Sequence, residues 1–265
     1  MSEDYDAPSM SLIIPEPFEN PADGYGFQRT LFEQIASGER PPTVVITPST
    51  RHVGVTKRDT HRDGFRDAVR AACEEGYPTL VRNAGGGATA ADAGTFGFSV
   101  VRPSDGRAIG SGIRERYDEA AAFALGAFRR LGVEDVEVGE VRDEFCPGDH
   151  SLRIGEWRSG MKVAGIAQRV TKRAASVGGI VLVDGESELA KVLERVYSAM
   201  KLPFRAGSVG SLRRAGHEVS VADVVEAFAG EAELRYGAKR ALLDGDILRM
   251  AREAGEEHIA RADGS

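Results

Sequence analysis

Apolar residues recur at helical spacing from Asp23 to Ser37, where Phe27, Leu31, Phe32, Ile35 and Ala36 share one face and Gly38 stands where the helix should stop. The β-branched run TVVIT at Thr43–Thr47 then predicts a buried strand, and the charged stretch after it, PSTRHVGVTKRDTHRD, predicts a loop in which Arg51, His52 and Lys57 are candidates to face a substrate. Phe65 to Glu75 is amphipathic, with Phe65, Ala68, Val69, Ala72 and Cys73 in register, which assigns Cys73 to the core. TLVR leads into a glycine-rich stretch, Arg82 to Gly94, and on to a second strand, TFGFSVV. Ile113 to Leu131 predicts a long amphipathic helix and Asp135–Val141 a half-buried strand. Lys162–Val170 and Ser176–Val183 predict a hairpin whose link carries Lys172 and Arg173, with Arg169 just before it. Glu186 to Met200 and Val221 to Gly230 are helical in pattern, and Gly237 onward predicts a final charged helix; these helices should cover the sheet. Residues 1–20 are polar and suit a loose arm, although Leu12–Ile14 could pair at a sheet edge.

Composition narrows the function. A chain of 265 residues with 42% hydrophobic and 28% charged content can bury one sizeable core. Two cysteines make no disulfide framework, no apolar run approaches a membrane span, and the N-terminus is acidic where a signal peptide would be basic, so a cytoplasmic protein is expected. The net charge of −7 repels phosphate backbones and argues against nucleic-acid binding. Against that background the cations Arg169, Lys172 and Arg173 form a local basic feature, suited either to an acidic protein partner or simply to solvent.

The candidate chemistry lies in two places. Cys146 sits in EFCPGDHS, where Pro147, Gly148 and Asp149 punctuate a loop, and Lys162 follows shortly after; an ammonium beside a thiol favours thiolate. Gly85, Gly86 and Gly87 let backbone approach a ligand closely and leave N–H groups for an oxyanion or carbonyl, with Arg82 able to counter negative charge. The glycine stretch lacks the lysine of a phosphate-binding loop and the spacing of a dinucleotide fingerprint, so glycine alone implies no nucleotide. By residues alone the bland alternatives stay open: a small buried cysteine, a solvated lysine and a plain flexible turn.

Taken together, RNAGGGATAADAG and KVAGIAQRVTKRAASVGGIVLV resemble the lipoate-protein ligase and octanoyltransferase superfamily, and FCPGDHSL is similar to the cysteine segment of octanoyltransferases that act on the glycine-cleavage H protein. The resemblance implies an α+β fold of the biotin/lipoate protein ligase catalytic-domain type, a mixed, largely antiparallel sheet with flanking helices. It places the catalytic domain at residues 22–237, after a flexible arm at 1–21 and before a C-terminal helix and tail at 238–265. It implies an acyl tunnel with Lys162, Gly165 and Gln168 on one wall and Arg82, Gly85, Gly86 and Gly87 on the other. Cys146 would be the acyl-thioester nucleophile and Lys162 the residue that lowers its pKa and contacts the acyl carbonyl. The implied activity is transfer of an octanoyl or lipoyl group to a lysine of lipoyl-domain proteins, namely the H protein and the E2 subunits of 2-oxoacid dehydrogenases, with acyl carrier protein a further donor the resemblance leaves open. No metal and no cofactor is required; ATP and magnesium enter only if the chain is instead an ATP-dependent lipoate ligase. A non-catalytic binder of lipoyl proteins or acyl chains is the third reading. Two departures bear on the choice: Ala91 precedes Asp92 where ligases often have His-Asp, and GEWRSGM lengthens the segment before Lys162. The last 28 residues read as one polar helix and a tail, without the extra domain that many adenylating ligases carry.

Overall fold

In a computed structural model, which describes residues 10–104, 106 and 110–261, the chain forms two sheets and six α-helices among those residues. The elements in chain order are β1 (Ser11–Ile13), α1 (Pro21–Ser37), β2 (Thr43–Pro48), β3 (His52–Thr56), α2 (Phe65–Glu74), β4 (Thr79–Arg82), β5 (Thr89–Ala91) and β6 (Thr95–Pro103). They continue with α3 (Ile113–Arg129), β7 (Val136–Val138), β8 (Leu152–Ile154), β9 (Met161–Val170), β10 (Ala174–Leu182), α4 (Glu186–Ala199), α5 (Val221–Tyr236), β11 (Lys239–Arg240) and α6 (Gly245–Gly255). The large sheet runs β11-β1-β2-β6-β10-β9-β8-β7; β1 is parallel to both its neighbours and every other pair is antiparallel. The small sheet runs β4-β3-β5, with β3 parallel to β4 and antiparallel to β5. This is the mixed, largely antiparallel α+β architecture expected.

Local chemistry explains the helix limits. Asn20 caps α1 by accepting from the Ala22 N–H, Pro21 supplies a first-turn residue that needs no donor, and Gly38 ends the helix in the left-handed region. Ser220 and Asp223 close α5 with a reciprocal capping box, and Gly237 stops it, so the helix runs six residues past the expected Gly230.

The two faces of the large sheet differ. On β6, Phe96, Phe98 and Val100 point into a core shared with α3 and α5, where Phe228 meets Phe96, Phe98, Phe123 and Phe128 at centroid distances of 5.1–5.6 Å. A ring fully buried there contributes about 2–3 kcal/mol. The opposite face packs Val45, Val101 and Ala174 against α1 and α6, through Phe27, Leu31, Phe32, Ile247 and Ala251. A third apolar cluster joins the small sheet to α2 and α4 through Val53, Val55, Ala72, Leu193 and Val196.

Several expectations are corrected. The charged stretch after Thr47 is not all loop: Val53, Gly54, Val55 and Thr56 are buried in β3, the central strand of the small sheet, because β4 and β5 pair with it on both sides. Cys73 is exposed, since the last turn of α2 carries it past the packed face of Ala68, Val69 and Ala72. Of the expected arm, residues 1–9 lie outside the described residues, but Leu12 and Ile13 are 1% and 2% exposed in β1, held between β2 and β11. The charged helix after Gly237 begins only at Gly245, after β11. Among the described residues, no helix is long and apolar enough to cross a membrane.

Candidate active site

Cys146 lies in the loop between β7 and β8, in a left-handed conformation (φ 43°) that a non-glycine residue adopts only at a cost of about 1–3 kcal/mol. Three anchors hold it. The buried Glu144 carboxylate accepts from the Val141 N–H (2.8 Å), the Ser151 hydroxyl (2.5 Å) and the Lys162 ammonium (3.0 Å). Lys162, fully buried on β9, donates also to the carbonyls of Phe145 (2.9 Å) and Cys146 (2.8 Å), and its Nζ sits 4.6 Å from the centre of the Phe145 ring. From α4, the Tyr197 hydroxyl accepts from the Cys146 N–H at 2.6 Å and donates to the Ala88 carbonyl at 2.9 Å.

The thiol points at the glycine loop between β4 and β5. Its Sγ accepts from the Gly87 N–H (3.2 Å) and from Arg82 Nη2 (3.3 Å), while the same guanidinium nitrogen donates to the Gly87 carbonyl (2.7 Å). Gly86, at φ 104°, must be glycine, because a Cβ there would stand 2.5 Å from Sγ and 2.9 Å from Arg82 Nη2. Burial by itself would push the thiol up. The charges of Arg82 and then Lys162, with the Gly87 N–H and the Arg82 hydrogen bond, outweigh it and bring the thiol below its ordinary value.

The expected residues therefore fall into distinct places. Cys146, Lys162, Arg82, Gly86 and Gly87 converge, but the direct cationic partner of the sulfur is Arg82; the hydrogen bonds of Lys162 go to Glu144 and two loop carbonyls. Gly85 is exposed, with open space where a Cβ would be. Gly165 borders the Lys162 side chain, where a Cβ would lie 2.9 Å from Cε. The Gln168 amide turns to α3, accepting from Arg116 Nε (2.9 Å) and donating to the Ile113 carbonyl (3.1 Å).

From Cys146 a cleft of about 230 Å³ opens between the large sheet, α1 and the small sheet. Pockets for drug-sized ligands span about 300–1,000 Å³, so this one suits a slender chain. Gly97, Ser99, Gly178 and Ala167 form its floor on β6, β10 and β9; Gly97, Ser99 and Ala167 are small enough to leave the space open, and Gly178 is glycine because a Cβ would run into the β6 backbone at Phe98. Tyr25 of α1 roofs it, with His52 and His258 edge-on to its ring at 5.3 and 5.6 Å. Burial pushes the Tyr25 phenol up to about 12, partly countered by the charge of Arg82, and burial pulls His52 down, its Nδ1–H donating to the Thr50 carbonyl. Arg51 instead lies over the Tyr77 ring, and Lys57 borders a neighbouring polar recess with Asn83, Arg169 and His258. Arg169 stacks on Phe32 at 4.2 Å inside the cleft, whereas Lys172 and Arg173 are exposed at the hairpin turn. At roughly 3.3 Å per strand residue, that turn is roughly 30 Å from Lys162 along β9. Among the described residues no cluster of three or more His, Cys, Asp or Glu side chains could hold a metal ion.

Tyr197, Glu144, Tyr25 and His258 escaped the sequence reading. Tyr197 follows Cys146 by 51 residues on a helix whose periodicity marks it only as core. Glu144 was visible beside the cysteine, but nothing in its spacing showed that its carboxylate would be buried on Lys162.

The chain is similar to several proteins of known activity. The octanoyl-[GcvH]:protein N-octanoyltransferase of Bacillus velezensis is 28% identical over 184 residues, 69% of this chain and 62% of that protein. The lipoyl-[GcvH]:protein N-lipoyltransferase of Listeria monocytogenes is 28% identical over 166 residues, 63% of this chain and 57% of that one. The matches thus span about three fifths of these relatives' length. Among solved structures, lipoate-protein ligase A bound with ATP superposes with a TM-score of 0.73 at 21% identity, covering 94% of this chain and 95% of the other. A structure from the analysis of a bi-partite lipoate protein ligase and its E2 lipoyl domain of Thermoplasma acidophilum gives 0.68 at 19% identity over 94% and 92%. These two establish the fold. A family model for the lipoyl protein ligase A/B catalytic domain matches residues 20–233, and to that family the chain belongs.

Proposed function

We propose that the protein is an acyltransferase that moves an octanoyl or lipoyl group onto a lysine of a lipoyl-domain protein through an acyl-thioester on Cys146. The observation that carries this reading is the Cys146 Sγ held between the Gly87 N–H and the Arg82 guanidinium at the mouth of a slender cleft. A thiolate there attacks the carbonyl of the donor and expels the donor's leaving group, which takes up the proton the thiol has given up, leaving the acyl chain along the glycine floor. The ε-amine of the acceptor lysine then attacks the thioester, Cys146 departs as thiolate, and a proton shed by the amine can return to the sulfur.

Acylation removes the negative charge from sulfur, so Gly87 N–H and Arg82 lose their acceptor in that step and become donors for the oxyanion. Such a donor is worth about 3 kcal/mol in the transition state. Lys162, in this reading, holds the nucleophile loop through the Phe145 and Cys146 carbonyls and adds positive charge from behind the sulfur. The H-protein named in the curated relatives is the first donor and acceptor to try; E2 lipoyl domains and acyl carrier protein follow.

Intact-mass measurement after incubation with octanoylated H protein tests the reading. One acyl group should appear on the wild-type enzyme, vanish with hydroxylamine, and be absent from Cys146→Ser. Product formed by Cys146→Ser from free lipoate and ATP would establish the ligase reading in its place.

A further inference from the structure

We propose that Tyr197 is a positioning residue that clasps the nucleophile loop to the glycine loop, and that this clasp keeps the Cys146 sulfur on the Gly87 N–H and Arg82. The inference rests on the Cys146 reading above and adds to it a residue from α4, an element that lines no part of the cleft.

The geometry is specific. One hydroxyl serves both loops: it accepts from the Cys146 N–H at 2.6 Å and donates to the Ala88 carbonyl at 2.9 Å. Ala88 directly follows Gly87, whose N–H meets the sulfur, so the hydroxyl fixes the sulfur and its donor from the same point. Tyr197 is only 3% exposed, and its ring is held by Phe204 at a centroid distance of 5.1 Å. The left-handed Cys146 backbone, followed by a proline that disfavours helical geometry before it, needs such an anchor. Without the hydroxyl, the Cys146 N–H and the Ala88 carbonyl lose their partner in a largely buried site, and the loop has reason to relax. Glu144 and Lys162 anchor the other side of the loop, Glu144 by accepting from the Val141 N–H and the Ser151 hydroxyl and Lys162 by donating to the carbonyls of Phe145 and Cys146, which leaves the Cys146 N–H to Tyr197.

Charged groups around the sulfur are Arg82 on β4, Lys162 on β9 and, paired with Lys162, Glu144; Asp59 and Arg82 also act on the Tyr197 hydroxyl. None is altered by removing the Tyr197 oxygen, so a change in thiol titration reports geometry.

The test is iodoacetamide alkylation of Cys146 as a function of pH, which needs no acyl donor. In Tyr197→Phe the curve should move to higher pH, alkylation at neutrality should slow severalfold, and transfer should fall about tenfold or more in kcat with KM for the acceptor little changed. Leu193→Ala, in the core that the same helix shares with α2 and the small sheet, keeps the hydroxyl and its ring contact and serves as the control: it should lose stability while keeping the wild-type alkylation curve. Equal shifts in both variants would reduce the effect to general loosening and overturn the proposal, as would an unshifted curve in Tyr197→Phe. Should Tyr197→Phe fail to fold, hydrogen exchange on the wild type decides: a protected Cys146 amide supports the clasp and a freely exchanging one overturns it. Because alkylation is independent of acyl transfer, loss of the Cys146 thioester reading would show in the Cys146→Ser assay and not here.

Discussion

The two faces of β6 and β10 are built from the same strands to opposite ends. On one face Phe96, Phe98, Val100, Val177 and Val181 meet a cluster of rings with no room left; on the other Gly97, Ser99 and Gly178 leave a cleft under α1. In most antiparallel sheets a face of small and polar residues would meet water. Here it is roofed by α1 and the small sheet, so its missing side chains become a binding volume. Strength and access are divided by the pleat of a single strand.

Single substitutions sharpen that division. The largest effect should come from Cys146→Ser: transfer falls by about a thousandfold or more, since a serine hydroxyl is not ionised near neutrality, while thermal melting stays close to wild type. Retained transfer would remove the thioester from the mechanism. Next, Phe228→Ala should cost about 3–5 kcal/mol in denaturant unfolding yet leave the Cys146 alkylation curve in place at temperatures well below melting. A shifted curve would mean that the two faces are coupled.

Gly97→Val addresses the cleft face. A Cβ at Gly97 would meet only ordinary contacts, the Gly179 carbonyl oxygen at 3.7 Å and that of Thr47 at 4.0 Å, so the strand accepts it and the side chain fills acyl space. Activity with an octanoyl donor should drop about tenfold or more while activity with an acetyl donor is spared, with stability within about 1 kcal/mol of wild type. Equal losses for both donors would place the acyl chain elsewhere. Arg82→Gln should then slow alkylation at neutral pH severalfold. The sign follows from the charge: Arg82 favours thiolate, so its loss moves the thiol upward and lowers the thiolate fraction at any fixed pH below that value. Lys162→Met should move the curve in the same direction by less, because its charge acts without contacting the sulfur. The reverse order would return Lys162 to the role first expected of it.

The smallest effect is expected at the hairpin tip. Neutralising Lys172 and Arg173 should change acceptor KM by no more than about twofold, because the tip lies roughly 30 Å along β9 from the nucleophile. Lys57 borders the recess beside the glycine loop and Arg58 donates to the Gly86 carbonyl, so neutralising that pair should flatten the salt dependence of acceptor binding more. A flattened salt dependence from the hairpin variant would restore the tip as a docking element.

Much of the scaffold was legible because local chemistry and packing agree there. The capped helices, the long hairpin and the strand before the glycine loop announce themselves by period and punctuation, and the cysteine and glycine motifs pointed to residues that do converge. What escaped depended on distant partners. HVGVT reads as loop until β4 and β5 flank it, and the pairing open to Leu12–Ile14 turns out to be interior to the sheet only because Thr43 and Lys239 onward lie on both sides of Ser11–Ile13. Gln168 sits in the expected motif, yet the start of α3 captures its amide. Tyr197 and His258 reach the site from helices and turns with no motif to mark them.

The pairing of Ser11–Leu12 with Lys239–Arg240 also orders events in time. A strand that needs a partner more than two hundred residues downstream cannot complete its ladder while the chain is still emerging from the ribosome. The roof of the cleft shares that delay, since α6 packs on α1 and His258 supplies part of the wall, with its Nδ1–H on the Val81 carbonyl at 2.6 Å. The nascent protein therefore holds its cysteine and glycine loops well before the cleft beside them is walled in. The cleft gains its full wall only once α6 and His258 have been made and have docked against the first helix.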